Sequence, residues 1–149
     1  MSPLEQVLSR VLERVEPRPE EKSRVLDLSK GLLLIVQRQC QRSGLDAEAT
    51  LQGSIAKDTW IPSKREIDIF VSLDPSVGRE RLEKSIVRIG KAAVRAAGGE
   101  PVLRYAEHPF VEGRVGDVLV NVVACYRVPR GGWITAADRT PFHKEYVNK

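Results

Sequence analysis

Residues 53–72 of the chain read GSIAKDTWIPSKREIDIFVS. Near the end of this stretch, Glu66 and Asp68 flank Ile67 in an acid–hydrophobe–acid triplet. Successive side chains of a strand point to opposite faces, so the two carboxylates share one face and the alternate apolar residues of 67–73 face the core. Two carboxylates on one face repel each other unless a positive group lies between them, and Mg²⁺ is a hard cation that prefers oxygen ligands. The stretch therefore predicts a strand on which Glu66 and Asp68 are candidate ligands of Mg²⁺.

The Gly53-Ser54 dipeptide at the start of this stretch is a second feature of interest. It follows an apolar-patterned segment, and a Gly-Ser turn lets backbone amides and a hydroxyl group approach an anion closely. An acid–hydrophobe–acid triplet by itself is usually a solvated face of a sheet. A phosphate-holding turn followed by a strand with two carboxylates is instead the layout of a site that transfers nucleotidyl groups.

The same order of features resembles that of the polymerase-beta-like nucleotidyltransferase superfamily. Within it, five blocks are similar to the catalytic head domain of the archaeal-type CCA-adding enzymes: GSIAKDTW, EIDIF, RYAEHPFVEG, VVACY and DRTPFH. The similar region runs from about Leu51 to His143. The resemblance implies a polymerase-beta-like fold and Mg²⁺-dependent transfer of CMP and AMP from CTP and ATP to the 3′ end of tRNA.

The resemblance also implies a set of residues that contact the nucleotide. Gly53, Ser54 and Lys57 match the phosphate-contacting turn, although Lys57 stands where an arginine is usual and so lacks the bidentate fork. Thr140 and His143, in the DRTPFH block, match a segment that lies near the triphosphate in the family. An exposed helix histidine is the alternative interpretation of His143.

Position 121 departs from the family pattern. Family members hold their cations with three carboxylates, and Glu66 and Asp68 match the first two, but Asn121 stands where the third, an aspartate, is expected. An amide carries no negative charge and cannot accept a proton at neutral pH, so we expect the ion nearest the attacking hydroxyl to be lost. Asp117 is the one carboxylate that this strand pair offers with matching face parity, and it lies about 13 Å away along the strand. An engineered change and a natural loss of catalysis are both compatible with Asn121.

The remaining segments predict an α+β fold. Ser2-Pro3-Leu4-Glu5 predicts a capping box that opens a helix, which Pro17 and Pro19 end. A longer helix over 20–42, stopped by Ser43-Gly44, completes an N-terminal helical pair at about 3–43. Further helices are predicted over 79–97 and 136–146, and strands over 48–52, 66–73, 102–106, 110–115 and 118–126, with a hairpin turn at Gly116-Asp117. This irregular mixture favours a mixed or antiparallel sheet with helices on one face and with Glu66 and Asp68 on the open face.

Length, charge and cysteine content narrow the class of protein. A chain of 149 residues predicts a single domain over 1–149. The resemblance implies that this domain is a nucleotidyltransferase head, without the tRNA-binding and C-terminal domains of the family. The net charge of +4 suits a polyanionic partner. Cys40 and Cys125 lack metal-ligand spacing and are expected to be buried free thiols. The sequence contains neither an apolar run of membrane-spanning length nor a signal peptide, so the cytoplasm is the expected compartment.

The sequence is compatible with three functions. The first is the head of a CCA-adding nucleotidyltransferase, acting on ATP, CTP and tRNA but impaired by Asn121 and by its short length. The second is a non-catalytic module that binds a nucleotide or a protein, which Asn121 and the absent tRNA-binding region favour. The third is a small stand-alone nucleotidyltransferase acting on a protein or small molecule, against which the blocks RYAEHPF and DRTPFH argue.

Overall fold

The computed structural model describes residues 2–15, 18–52, 65–128 and 138, with the backbone alone for residues 11–15. These ranges contain three α-helices and five β-strands. In chain order the elements are α1 (Pro3–Val15), α2 (Pro19–Ser43), β1 (Ala47–Gln52), β2 (Glu66–Leu73), α3 (Arg79–Ala96), β3 (Glu100–Tyr105), β4 (Pro109–Val115) and β5 (Val118–Tyr126). The helix predicted over 136–146 lies outside the described residues except for Asp138.

The helix termini follow from local sequence. The Ser2 backbone N–H donates to Glu5 Oε2 at 2.8 Å and the Glu5 N–H donates to Ser2 Oγ at 3.1 Å, which confirms the predicted capping box. Pro19 was expected to end the first helix, but it is the first residue of α2. The N–H groups in the first turn of a helix have no partner within the helix, so a proline, which lacks an N–H, is tolerated there. Gly44 closes α2 with its N–H donated to the Gln41 carbonyl.

The five strands form one mixed sheet in the order β1-β2-β5-β4-β3. The central pair, β2 and β5, is parallel, and every other neighbouring pair is antiparallel. Pro101 lies in β3, an edge strand, where a missing N–H costs the sheet little. The α+β class and the mixed sheet are therefore confirmed.

The core lies between one face of this sheet and helices α2 and α3. Alternate residues of β2 and β5 point into it, and Ile67, Ile69, Val120 and Val122 are all 0% exposed. Val25, Val36 and Leu82 meet them from the helices. The other side chains of each strand consequently lie on the second face, which is the open face of the prediction. Cys40 and Cys125 are buried free thiols, as expected.

Two glycines bring α3 close to β4. A Cβ on Gly90 of α3 would lie 2.6 Å from Val111 Cβ, and a Cβ on Gly113 of β4 would lie 2.4 Å from Val94 Cγ1. Each glycine thus receives a valine of the other element, and no larger residue fits without movement. This contact holds the helix layer against the strand that neighbours β5. Among the described helices, none is both long and apolar enough to cross a membrane.

Candidate functional site

Strand β2 presents Glu66 and Asp68 on the open face of the sheet, as the sequence predicted. The apolar neighbours Ile67 and Ile69 are fully buried on the core side, which fixes the direction of the two carboxylates. Glu66 is exposed and Asp68 is half-buried. Two acids with different solvation therefore stand next to each other on a central strand.

The strand register extends Asp68 into a row of polar side chains. Asp68 lies opposite Gln52 of β1 on one side and opposite Asn121 of β5 on the other. Asn121 in turn lies opposite Glu112 of β4. Residues directly opposite each other in a sheet share a face, so these four side chains cross four strands of the open face. We call Gln52, Asp68, Asn121 and Glu112 the polar row.

Asn121 occupies the position predicted for the third acid and forms a hydrogen bond with Asp68, the second acid. Its Nδ2 donates a hydrogen bond of 3.0 Å to Asp68 Oδ1. Burial raises the pKa of Asp68 above its ordinary value, and the bond from Asn121 acts in the opposite direction. The amide thus partly compensates for the desolvation of the carboxylate without supplying any charge.

Two amide oxygens of the polar row are left without donors. Asn121 Oδ1 and Gln52 Oε1 are buried atoms for which the described residues provide no hydrogen-bond partner. Gln52 is only 3% exposed, and its Nε2 is already committed to Thr50 Oγ1 at 3.1 Å. Buried acceptors without donors are costly, and water, a donor-rich ligand or a cation can satisfy them.

The oxygen atoms around Asp68 fit the divalent cation that the resemblance implies. They belong to carboxylates and amides, and Mg²⁺ prefers oxygen ligands of this kind. In the part of the chain that the structure describes, however, no three His, Cys, Asp or Glu side chains are grouped so that they could hold a metal. Glu66 and Asp68 are thus two neighbouring acids, and any further oxygen would come from an amide or from a more distant acid.

Asp117 does not take part in this site. It lies in the β4–β5 turn, where it accepts a hydrogen bond of 3.2 Å from Arg24 and pairs with Arg65. Some desolvation acts to raise its pKa, but the bond from Arg24 and the charges of both arginines hold that pKa below its ordinary value. The residue therefore ties the turn to α2.

The nucleotide-binding positions implied by the resemblance lie outside the described residues. These are Gly53, Ser54, Lys57, Thr140 and His143. Of the DRTPFH block the structure describes Asp138, which is 1% exposed and accepts the Tyr126 N–H at 2.7 Å. The block therefore begins beside the end of β5, the strand that carries Asn121. Sequence reasoning had given Asp138 no role.

Glu112, like Gln52, belongs to the polar row but was not predicted from the sequence. It is half-buried, and its Oε1 accepts a bond of 3.4 Å from Arg104 of β3. The predicted hairpin turn at Gly116-Asp117 already implied its position, because a short turn there pairs residue 115 with residue 118 and therefore 112 with 121. The sequence analysis named Asp117 as the one carboxylate of this strand pair with matching face parity, and Glu112 was not considered.

A profile of the family described as "Nucleotidyltransferase domain" matches residues 33–146. The chain belongs to this nucleotidyltransferase domain family. It is 35% identical to the CCA-adding enzyme of Methanothermobacter thermautotrophicus over 142 residues, covering 95% of this chain and 31% of that protein. It is 37% identical to the CCA-adding enzyme of Pyrobaculum aerophilum over 150 residues, covering 100% of this chain and 35% of that protein. The predicted resemblance to archaeal CCA-adding enzymes is confirmed, and the chain spans about a third of the length of these relatives.

Solved structures agree on the fold of this nucleotidyltransferase domain. Cid1 in complex with the UTP analog UMPNPP has a TM-score of 0.60 and 14% identity, covering 96% of this chain and 38% of that one. E. coli MS115-1 CdnC with ATP has a TM-score of 0.61 and 18% identity, covering 96% of this chain and 50% of that one. At such identities the likeness concerns the fold, and the polymerase-beta-like architecture is confirmed by it.

Proposed function

We propose that this nucleotidyltransferase domain binds ATP or CTP with Mg²⁺ on the open face of its sheet and acts on the 3′ end of tRNA. The observation that carries the proposal is the placement of Glu66 and Asp68 side by side on that face, within a chain similar to CCA-adding enzymes along its whole length. ATP, CTP and tRNA are cytoplasmic molecules, so the proposal implies the cytoplasm as its compartment.

In this proposal, the two acids and Asn121 have different roles. Glu66 and Asp68 would hold the cation, which when bound neutralises triphosphate charge and makes an attacking hydroxyl more acidic. Asn121 holds Asp68 in place through its Nδ2 hydrogen bond. Its amide cannot take a proton from the attacking hydroxyl, so a proton acceptor must come from another residue or from solvent.

Nucleotide binding with and without a divalent cation tests this proposal. Calorimetry should give measurable affinity for ATP or CTP in Mg²⁺ and at least ~10-fold less in EDTA, because two acids without a cation repel the triphosphate. Asp68→Asn and Glu66→Gln should remove most of the Mg²⁺-dependent gain. Glu100→Gln is the matched control, since it removes an exposed carboxylate from the same sheet face outside the polar row. Equal affinity in Mg²⁺ and EDTA would refute the metal site.

One observation favours a second candidate function, a non-catalytic module that binds a nucleotide or a protein. The Asp68 carboxylate already has a neutral partner in Asn121, and that position adds no charge to the site. Labelled CTP incubated with tRNA lacking its 3′ CCA end separates the two functions. Incorporation supports the transferase, and Mg²⁺-dependent nucleotide binding without incorporation supports the module.

A further inference from the structure

Helix α3 carries a row of basic side chains on its outer side. Its members are three or four positions apart, and we call them the basic stripe: Arg81, Lys84, Arg88, Lys91 and Arg95. This spacing places all of them on one face of the helix. The opposite face contributes Leu82, Ile86 and Ile89 to the core. The stripe therefore faces away from the sheet, and at 1.5 Å per residue it is about 21 Å long.

The stripe contains no acid, which distinguishes it from an ordinary solvated helix face. Exposed helix faces commonly alternate acids and bases that pair at a spacing of four residues. In the described part of the chain, the one ion pair of the stripe joins Lys84 to Glu80, at 2.9 Å. Like charges three and four residues apart destabilise a helix, and a polyanion bound along the stripe relieves this repulsion.

A cavity of about 640 Å³ adjoins the N-terminal half of the stripe. Arg81, Lys84 and Arg88 line it from α3, and Ser43 lines it from the last turn of α2. Glu80 also lines the cavity, but its carboxylate is already paired with Lys84. Three bases and one acid give the cavity a positive charge, which suits an anion.

Ser85 provides an independent sign that the cavity receives a ligand. It is 7% exposed and lines the cavity, and the described residues give its hydroxyl group no hydrogen-bond partner. The buried Ser29 of α2, by contrast, donates its hydroxyl to the Val25 carbonyl at 2.7 Å. Gly78, the N-cap of α3, also lines the cavity, and no side chain caps the N–H groups that follow it. The Ser85 hydroxyl and this helix end can therefore donate to the same anion.

The phosphate groups of RNA fit this combination. Arginine, lysine and serine side chains and helix N-termini are the groups with which proteins contact nucleic-acid phosphates. A single phosphate would occupy the cavity and leave Lys91 and Arg95 without a partner, whereas an RNA strand carries charge along its whole length. Helix α3 packs on the core face of the sheet, so the stripe lies apart from Glu66 and Asp68 on the open face.

We propose that the basic stripe and its cavity bind the phosphate backbone of RNA, with the Ser85 hydroxyl group donating to one of the phosphates. The inference rests on the proposed function for the choice of tRNA as that RNA. It assigns the binding to the helix layer, where the stripe holds a part of the RNA distant from the reacting 3′ end.

Two variants of equal net charge test the inference. Arg88→Gln/Arg95→Gln removes two bases of the stripe, and Lys30→Gln/Arg38→Gln removes two exposed bases of α2. A general attraction to RNA would weaken equally in both. Fluorescence anisotropy with labelled tRNA lacking its 3′ CCA end should show the specific effect. The slope of log K against log salt should fall by about 1.4–1.8 in the stripe variant alone, with roughly 10-fold weaker binding at about 100 mM salt.

Ser85→Ala tests the cavity itself. It should weaken RNA binding several-fold and leave the salt slope unchanged, because it removes a hydrogen-bond donor and no charge. Nuclear magnetic resonance on the native chain locates the RNA without any variant. The shifts that RNA induces in backbone amides should be largest over residues 78–95, and polyglutamate of equal charge should shift the same amides less.

The outcomes separate this inference from the proposed function. Equal losses in the two charge-matched variants, or RNA-induced shifts confined to the open face, would overturn the role of the stripe. Stronger shifts with polyglutamate than with RNA would assign the stripe to an acidic protein and overturn it as well. The stripe variant should keep its Mg²⁺-dependent affinity for ATP or CTP, and absence of that affinity from the native chain would overturn the proposed function alone.

Discussion

Asp68 is a desolvated carboxylate whose neighbour across the parallel strand pair is an amide. Replacing that amide by a second acid places two like charges directly opposite each other. In EDTA, Asn121→Asp should therefore lower the free energy of unfolding by about 1–2 kcal/mol, and saturating Mg²⁺ should recover the loss. Thermal unfolding in the two buffers measures both effects.

The control for this prediction is Asn121→Ala, which removes the hydrogen bond and adds no charge. It should lose stability to the same extent in EDTA and in Mg²⁺. If Asn121→Asp responds to Mg²⁺ no more than Asn121→Ala does, position 121 does not contact the cation site.

Period-two alternation was enough to predict from the sequence that Glu66 and Asp68 share the open face, because one side of β2 is purely apolar. The family pattern identified Asn121, and the structure places it beside Asp68. The position of Glu112 opposite Asn121 could have been predicted, because the expected hairpin at Gly116-Asp117 pairs residue 112 with residue 121. The amide orientation of Asn121 was beyond sequence reasoning, since it is set by the hydrogen bond to Asp68 on a neighbouring strand that is distant in sequence.

The packing of α3 on β4 depends on glycines at the contact. Gly90→Ala should destabilise the chain by about 1–3 kcal/mol, because the added methyl group would overlap with the Val111 side chain. The matched control is Gly31→Ala in α2, where an added Cβ meets nothing within 4 Å. Because Gly31 is exposed in the middle of a helix, Gly31→Ala should raise the free energy of unfolding by up to about 1 kcal/mol. Urea unfolding measures the free energy for both variants, and equal effects would contradict the close contact between Gly90 and Val111.

A second link joins α3 to the β3–β4 connection and makes stability depend on pH. His108 is 4% exposed and its Nδ1 lies 3.2 Å from Glu83 Oε1. The hydrogen bond to His108, and then that from Arg79, lower the pKa of Glu83 below its ordinary value of 4.5. A lowered folded-state pKa means that the stabilisation is complete above 4.5 and is lost as the pH falls through the lower value.

Glu83→Gln should accordingly be less stable than the native chain at pH 7, and the difference should shrink once the pH falls below 4.5. Urea midpoints between pH 7 and pH 3 measure this trend. Glu80→Gln is the control, because its pairing with Lys84 is exposed to solvent and should contribute little at any pH. A Glu83→Gln difference that stays constant over the whole range would show that the charge of Glu83 is irrelevant.

Element boundaries show where sequence reasoning works. The capping box of α1 and the glycine stop of α2 were predicted correctly, since both depend on a few adjacent residues. Pro19 was assigned to the wrong helix because a proline is equally compatible with the end of one helix and the first turn of the next. Strand β3 begins at Glu100, two residues earlier than predicted, because its pairing with β4 outweighs the proline at 101.

At the scale of the whole molecule, the net charge of +4 governs encounters with RNA. Binding of tRNA by this chain should be weak and should fall steeply between 50 and 200 mM salt, since phosphate contacts release counterions. Fluorescence anisotropy with labelled tRNA measures the slope, and a single-stranded DNA of equal length is the control for non-specific attraction. Tight binding that persists at high salt would reveal a specific RNA surface.

The parallel pairing of β2 with β5 also has a consequence for the order of folding. Glu112 and Asn121 meet through a local hairpin, whereas Asp68 and Asn121 are 53 residues apart in sequence. Closing that long loop costs chain entropy before the contacts between the strands can stabilise it, so the pairing of β2 with β5 should form late. Until then Asp68 and Glu112 belong to separate halves of an unfinished sheet. A nucleotide should therefore slow unfolding of the chain and leave its refolding rate unchanged, because its site exists only after the last strands join.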